Sequence, residues 1–219
     1  MKPRCVIWDW NGTLLDDLQL CLRLLNEMLE EDGCPNRYDL AAYREIFGFP
    51  VVDYYRRAGL DFKKRSFEEM AADYVARYDP ASFSCSLCPG AADALAALKS
   101  AGVRQVILSA SELTLLKAQT EHLGVAGYFD ELLGQTDYYA HGKLAVGKAW
   151  MARQNFDPAQ AVLVGDTLHD AEVAKGLGAK CVLCAAGHQS RARLLTAGVS
   201  VIGTLEELPA LLASESPFL

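Results

Sequence analysis

Three short apolar runs constrain this 219-residue chain most: CVIW, VRQVIL and AVLVG each end at or just before a residue able to do chemistry, Asp9, Ser109 and Asp166. Their apolar positions are consecutive rather than alternate, which suits strands covered on both faces, and helical spacing follows each run. From LCPGAADALAALKSAG onward the alternation is regular. Strand candidates VRQVIL, FDELLG, AQAVLVG, CVLCAA and VSVIG are separated by helix candidates ELTLLKAQTEHLG, KLAVGKAWMARQN, LHDAEVAKGLG and HQSRARLLTAG, and TLEELPALL closes the chain. The expected class is α/β, a doubly wound (Rossmann-like) parallel sheet. Ligands of such sheets bind beyond the carboxyl ends of the strands, so Asp9, Ser109 and Asp166 should meet on one rim although more than 50 residues separate neighbours.

The first strand is not followed by a second. LQLCLRLLNEMLEE (18–31) switches to helical spacing, with Leu18, Leu22, Leu25 and Leu29 sharing a face, and SFEEMAADYVARY reads as another amphipathic helix capped by Ser66. We expect residues 1–16 and 86–219 to form the core and 17–85 an inserted helical cap domain.

A hydrophobic fraction of 51% is ample for a packed interior, and a net charge of -7 without a block of like charges disfavours nucleic-acid binding. Asp9 and Asp16 interrupt the start too early for a secretory segment, and no later stretch is long and apolar enough for a membrane span, so a cytoplasmic protein is the default. The chain alone leaves monomer and homodimer open. Seven cysteines argue against a disulfide framework. Cys85/Cys88 and Cys181/Cys184 have C-x-x-C spacing, but the second pair lies in an expected strand, where positions three apart face opposite sides. Packed thiols are expected over zinc or a redox pair.

Asp9 and Asp166 offer hard oxygen ligands, and Asp170 in GDTLHD reaches the same place across one helical turn. Mg2+ suits such a set better than zinc, since it takes few protein ligands and pairs with phosphate. A carboxylate oxygen of Asp9 could then attack phosphorus in line and form an aspartyl phosphate. Ser109, the Ala110 amide, and the turn at Gly12 and Thr13 offer donors to a phosphoryl group. Lys143 stands at a helix entrance, where the dipole disfavours a cation without an anionic partner, whereas Lys148 reads as a surface lysine. His141 and His169 adjoin these motifs without a partner histidine at helical spacing, and metal ligation by them is not expected.

DWNGT at Asp9 to Thr13, Ser109 in VILSAS, Lys143 and GDTLHD stand in the order of the four motifs of the haloacid dehalogenase (HAD) superfamily, which the whole chain resembles. More narrowly it is similar to phosphatases of the phosphoglycolate phosphatase kind. The resemblance implies a Mg2+-dependent phosphomonoester hydrolase acting on a small phosphorylated metabolite, with Asp9 phosphorylated and a cap closing over the organic group. It also implies metal contacts from Asp9, Asp166, Asp170 and the backbone carbonyl of Asn11. The departure is Asn11, which stands where family phosphatases carry the acid that protonates the leaving group and then activates water. An amide does neither near neutral pH, and such help is typically worth roughly 100- to 10,000-fold.

Three alternatives follow from that departure: another group moves the proton, the phosphoenzyme is long-lived, or the protein binds phosphate esters without efficient hydrolysis. A phosphomutase is a further reading. Specificity is expected in the cap, where YREIFGFPVVDYYRRAG presents Arg44, Phe47, Phe49 and Arg56, and an arginine there could meet a substrate carboxylate.

Overall fold

The computed structural model describes residues 3–135 and 142–214. In chain order its elements are β1 (Cys5–Trp8), β2 (Leu15–Asp16), α1 (Leu18–Glu31), α2 (Leu40–Ile46), α3 (Val51–Ala58), α4 (Phe67–Ser82), β3 (Ser86–Leu87), α5 (Ala91–Ser100), β4 (Arg104–Glu112), α6 (Leu113–His122), β5 (Glu131–Gln135), α7 (Lys143–Met151), β6 (Ala161–Gly165), α8 (Leu168–Leu177), β7 (Lys180–Cys184), α9 (Arg191–Leu194), β8 (Ser200–Ile202) and α10 (Leu208–Ala213).

Six strands form one parallel sheet in the order β5-β4-β1-β6-β7-β8, with Cys5 level with Arg104 on one side and Ala161 on the other. All four residues of β1 are buried, because helices cover both faces. Val6 and Trp8 pack into one apolar cluster and Cys5 and Ile7 into the other, the alternation a pleated strand imposes. The polar edge of the Trp8 indole is satisfied inside that packing by Gln105 Oε1 at 3.0 Å. Cys181 and Cys184 likewise go to opposite clusters, so their C-x-x-C spacing does not bring the two thiols to one side.

Helices α1 to α4 build a third apolar cluster, the helical cap. It is entered through β2 and left through β3, which pair with each other antiparallel. Helix α4 begins at a capping box: Ser66 Oγ accepts from the Glu69 amide while the Glu69 carboxylate accepts from the Ser66 amide. Among the described residues no helix is long and apolar enough to cross a membrane.

The expected helix from His188 is shorter than its sequence suggests. Ser190 caps α9, and His188 and Gln189 lie before it in a buried loop. The reason is polar: the Gln189 side chain accepts from the Leu168 amide and donates to the Phe47 carbonyl, while the His188 amide is drawn to a carboxylate described below.

Candidate active site

Asp9 follows the last residue of β1, and its amide continues the ladder to the Val164 carbonyl at 2.8 Å. The chain then reverses within DWNGT. Gly12 sits at φ 71°, and a Cβ there would lie 2.3 Å from His188 Cδ2 and 2.5 Å from Asp166 Oδ2, so glycine is required for both reasons. Thr13 Oγ1 is 3.1 Å from Asp166 Oδ1 and 3.5 Å from Asp9 Oδ2, which ties the ends of β1 and β6 together.

Carboxylate oxygens of Asp9, Asp166 and Asp170 all lie within 4.8 Å of one another. Lys143, the first residue of α7, places Nζ 2.5 Å from both Asp9 Oδ1 and Asp170 Oδ1. The other oxygen of Asp170 accepts from the Thr167 amide and hydroxyl, at 3.0 and 2.7 Å. Asp166 Oδ2 accepts from the His188 amide at 2.6 Å.

One cation among three buried carboxylates leaves the cluster short of positive charge. Burial pushes Asp9 up to about 8, against the pull of Lys143 and with the push of Asp170 and Asp166. Burial likewise raises Asp166 to about 6. Asp170 is also buried, yet Lys143 and the Thr167 donors hold it below the usual carboxylate range. Lys143 is shifted upward although burial opposes its charge, because two carboxylates share it. The shifts of Asp9 and Lys143 would conflict in an isolated pair, but they agree in a cluster where the ammonium compensates Asp170 and leaves Asp9 underserved. All-oxygen donors with excess negative charge fit a hard divalent cation.

Asn11 is fixed by three bonds. Its Nδ2 donates to Asp17 Oδ2 at 3.0 Å and to the Tyr78 hydroxyl at 2.6 Å, and its Oδ1 accepts from Ser111 Oγ at 2.8 Å. Asp17 is buried and also accepts from the Gly12 amide, at 2.9 Å, and from Tyr78. His188 Nε2 lies 3.1 Å from Asp17 Oδ1, and its Nδ1 is 2.8 Å from the Tyr43 hydroxyl. Burial disfavours charge on His188, yet the Asp17 carboxylate outweighs it and pushes the imidazole up to about 9. Burial would also raise Asp17, but His188, Tyr78 and Asn11 hold it below its ordinary value.

A cleft of about 410 Å³ joins these groups to the cap and is lined by Asp9, Asn11, Ala110, Ser111, Lys143, Asp166 and Asp170 on the core side, with Phe47 and Phe49 among its cap residues. A second depression, about 540 Å³, lies at the amino ends of β1 and β4, beside Arg4 and Arg104 and away from these carboxylates.

Ser109 is buried and accepts from the Ser111 amide at 3.0 Å, while Ser111 lines the cleft, in a stretch where the register of β4 against β5 shifts between Leu108 and Glu112.

Arg44 does not line the cleft: its guanidinium donates to the carbonyls of Gly187 and Ala186, at 2.9 and 2.5 Å, and so latches α2 onto the loop that carries His188. Arg56 is exposed and paired with Asp53 at 2.9 Å. Lys63 and Lys64 are exposed. His169 packs on Phe49, and His141 lies outside the described residues. Arg44→Ala is expected to lower the urea midpoint by the equivalent of about 1–3 kcal/mol, whereas Arg56→Ala stays within about 0.5 kcal/mol. Equal effects would refute the latch.

Residues 6–184 match the family model for haloacid dehalogenase-like hydrolases. The chain belongs to that HAD family. The tyrosine-protein kinase PtkA of Mycobacterium tuberculosis is 30% identical over 214 residues, covering 94% of this chain and 72% of the relative. A phosphoglycolate phosphatase of Synechococcus elongatus is 27% identical and covers 89% of each. The fold is shared with the HAD-like hydrolase SP0104 of Streptococcus pneumoniae (TM-score 0.80, 20% identity, 95% and 98% of the two chains). It is also shared with a predicted phosphatase of Clostridium acetobutylicum (TM-score 0.81, 20% identity, 97% and 99%).

A HAD hydrolase fold with an acidic cluster able to hold a divalent metal supports phosphoester hydrolysis in general. Within this HAD site, sequence reasoning passed over Asp17, Tyr78, Ser111 and His188. Ser111 lies two residues beyond Ser109, across a register shift in β4 that the sequence does not announce. Asp17 stands at the N-cap of α1 but makes no capping bond, its carboxylate being turned to Asn11, Gly12 and His188. No local pattern marks Tyr78 or His188.

Proposed function

We propose that this protein is a Mg2+-dependent phosphomonoester hydrolase for small phosphate esters, with Asp9 as nucleophile. The observation that carries the reading is Lys143 Nζ, set at 2.5 Å from both Asp9 and Asp170 in a cluster that includes Asp166. Lys143 holds Asp9 in one orientation and draws negative charge toward it. Asp9 lines the cleft together with Ala110 and Ser111, and in this reading its oxygen not held by Lys143 attacks phosphorus, while Ser109, Ser111, the Ala110 amide and the Gly12–Thr13 turn would receive phosphoryl oxygens. Asp9, Asp166, Asp170 and the Asn11 carbonyl would hold Mg2+, which when bound neutralises phosphoryl charge. Relatives named phosphoglycolate phosphatase support phosphomonoester chemistry. Phosphate release with Mg2+ that vanishes with EDTA is the expected result, and metal-independent release would refute the reading.

Asn11 favours a second reading of the later step. Its amide is locked by Asp17, Tyr78 and Ser111 and has no group that titrates near neutral pH, so the phosphoenzyme should hydrolyse slowly. A burst of leaving group equal to the enzyme concentration, followed by slower turnover, is expected in rapid-mixing experiments.

The raised Asp9 gives a further expectation. At pH 7 the metal-free carboxyl is largely protonated, so Mg2+ binding should release up to about one proton, fading to none above about pH 9. Calorimetry in buffers of different ionisation enthalpy reads this number; no release at pH 7 would contradict it.

A further inference from the structure

Resting on that reading, we infer that the cleft takes an apolar aromatic leaving group, so that the preferred ester is an aryl phosphate rather than a phosphorylated acid or sugar. Charge supplies the first reason. Among the described residues, Lys143 is the only lysine or arginine lining the cleft, and Asp9 and Asp170 already engage it. Arg44 and Arg193 are spent on backbone carbonyls and Arg56 on Asp53. Among the described lining residues a substrate carboxylate or second phosphate would meet Asp17, Asp79 and Glu112, and the remaining cationic side chain, His188, is already held by Asp17 and the Tyr43 hydroxyl.

The walls give the second reason. Three of the lining tyrosine hydroxyls are turned to internal partners: Tyr43 to His188 Nδ1 at 2.8 Å, Tyr74 to Cys21 Sγ at 3.1 Å and Tyr78 to Asp17 Oδ2 at 2.5 Å. What they present is ring carbon, extended by Phe47, Phe49 and Tyr54. Against these rings sugar hydroxyls would find few partners, whereas an aromatic ring gains area and edge-to-face contacts.

Asn11 gives the third. Alkoxide departure needs a proton donor, but a phenol ionises near pH 10, several units below an aliphatic alcohol, and leaves as the anion. An oxygen of Asp9 donates its electron pair to phosphorus as the aryl oxygen takes the pair of the breaking P–O bond; solvent then protonates the phenolate. Water attacks the phosphorus of the aspartyl phosphate, inorganic phosphate departs, Asp9 regains its carboxylate and the water proton goes to solvent. Neither displacement requires an acid at position 11 for the aryl group to leave.

The test compares kcat/KM with Mg2+ for phenyl phosphate, cyclohexylmethyl phosphate, phosphoglycolate and a hexose phosphate, in the wild type and in Asn11→Asp. This quotient reports steps up to the first irreversible one, so slow hydrolysis of the phosphoenzyme does not mask it. The wild type should favour phenyl over cyclohexylmethyl phosphate by at least about 100-fold, and Asn11→Asp should narrow that ratio by at least about tenfold. Ratios within one protein cancel its folded fraction. If the variant does not fold, substituted phenyl phosphates serve in the wild type: a steep dependence on phenol pKa supports the inference and a flat one overturns it. Preference for phosphoglycolate or the hexose phosphate, or a ratio the variant leaves unchanged, overturns the substrate class alone. No phosphate from any ester overturns the hydrolase reading as well.

Discussion

Asp9→Asn is expected to abolish Mg2+-dependent phosphate release, by about 10,000-fold or more, while the protein stays folded. The amide keeps an oxygen to accept from Lys143 but cannot supply the electron pair for an acyl phosphate. The fold should not suffer, because the native carboxylate is a burden in the metal-free protein. Its folded pKa is about 8 against an ordinary 3.8, so the folded state holds a proton that the unfolded chain has already released. Its contribution to stability is therefore present at acid pH and lost as pH rises from about 4 toward about 8. Metal-free Asp9→Asn should melt at or above the wild type at pH 8, and the two should converge near pH 4. Activity above about 1% of wild type would exclude Asp9 as nucleophile. Marked destabilisation at pH 8 would show that its charge is better compensated than the Lys143 geometry implies.

Lys143→Met should lose both activity and stability. The ammonium pairs with the buried Asp170 carboxylate and also holds an oxygen of Asp9, and removing one member of such a set costs about 3–5 kcal/mol because the remaining charge stays buried. For a chain of this size that corresponds to a fall in melting temperature of roughly 6–20 °C. Added Mg2+ should recover part of the loss by supplying positive charge to the same oxygens, and activity should remain at least about 1,000-fold down, since Asp9 is no longer oriented. A melting temperature within about 2 °C of wild type would mean that Asp170 takes up a proton at little cost and that the ammonium is not structurally required.

The parts legible in the sequence share one property: their position follows from a local transition. Asp9 and Asp166 stand where apolar runs stop, Asp170 lies one helical turn beyond, and Lys143 opens a helix where a cation needs an anion. Strand ends in a parallel sheet converge, so local punctuation became spatial proximity. The Asn11 network lacks that property. Asp17, Tyr78 and His188 come from the start of α1, from α4 and from the loop before α9, and nothing in any one stretch announces the others. His188 was hidden further because HQSRARLL scans as a continuous helix, while side-chain bonds from Gln189 hold its first residues outside it. The placement of the cap arginines is set by another factor. A guanidinium satisfies carbonyl oxygens as readily as a carboxylate, and composition does not say which Arg44 will find.

The strand order has a consequence for biosynthesis. β1 is made first but lies at the centre of the sheet, and its neighbours β4 and β6 emerge roughly 100 and roughly 150 residues later. At a ribosomal pace of about 5–20 residues per second, the nascent chain carries this fully apolar strand unpaired for about 5 s or longer. The four cap helices, whose contacts are closer together along the chain, are complete before then. Newly made molecules thus pass through an interval with a finished cap and an orphaned central strand, and slower elongation would lengthen the time in which chaperones or aggregation compete for it.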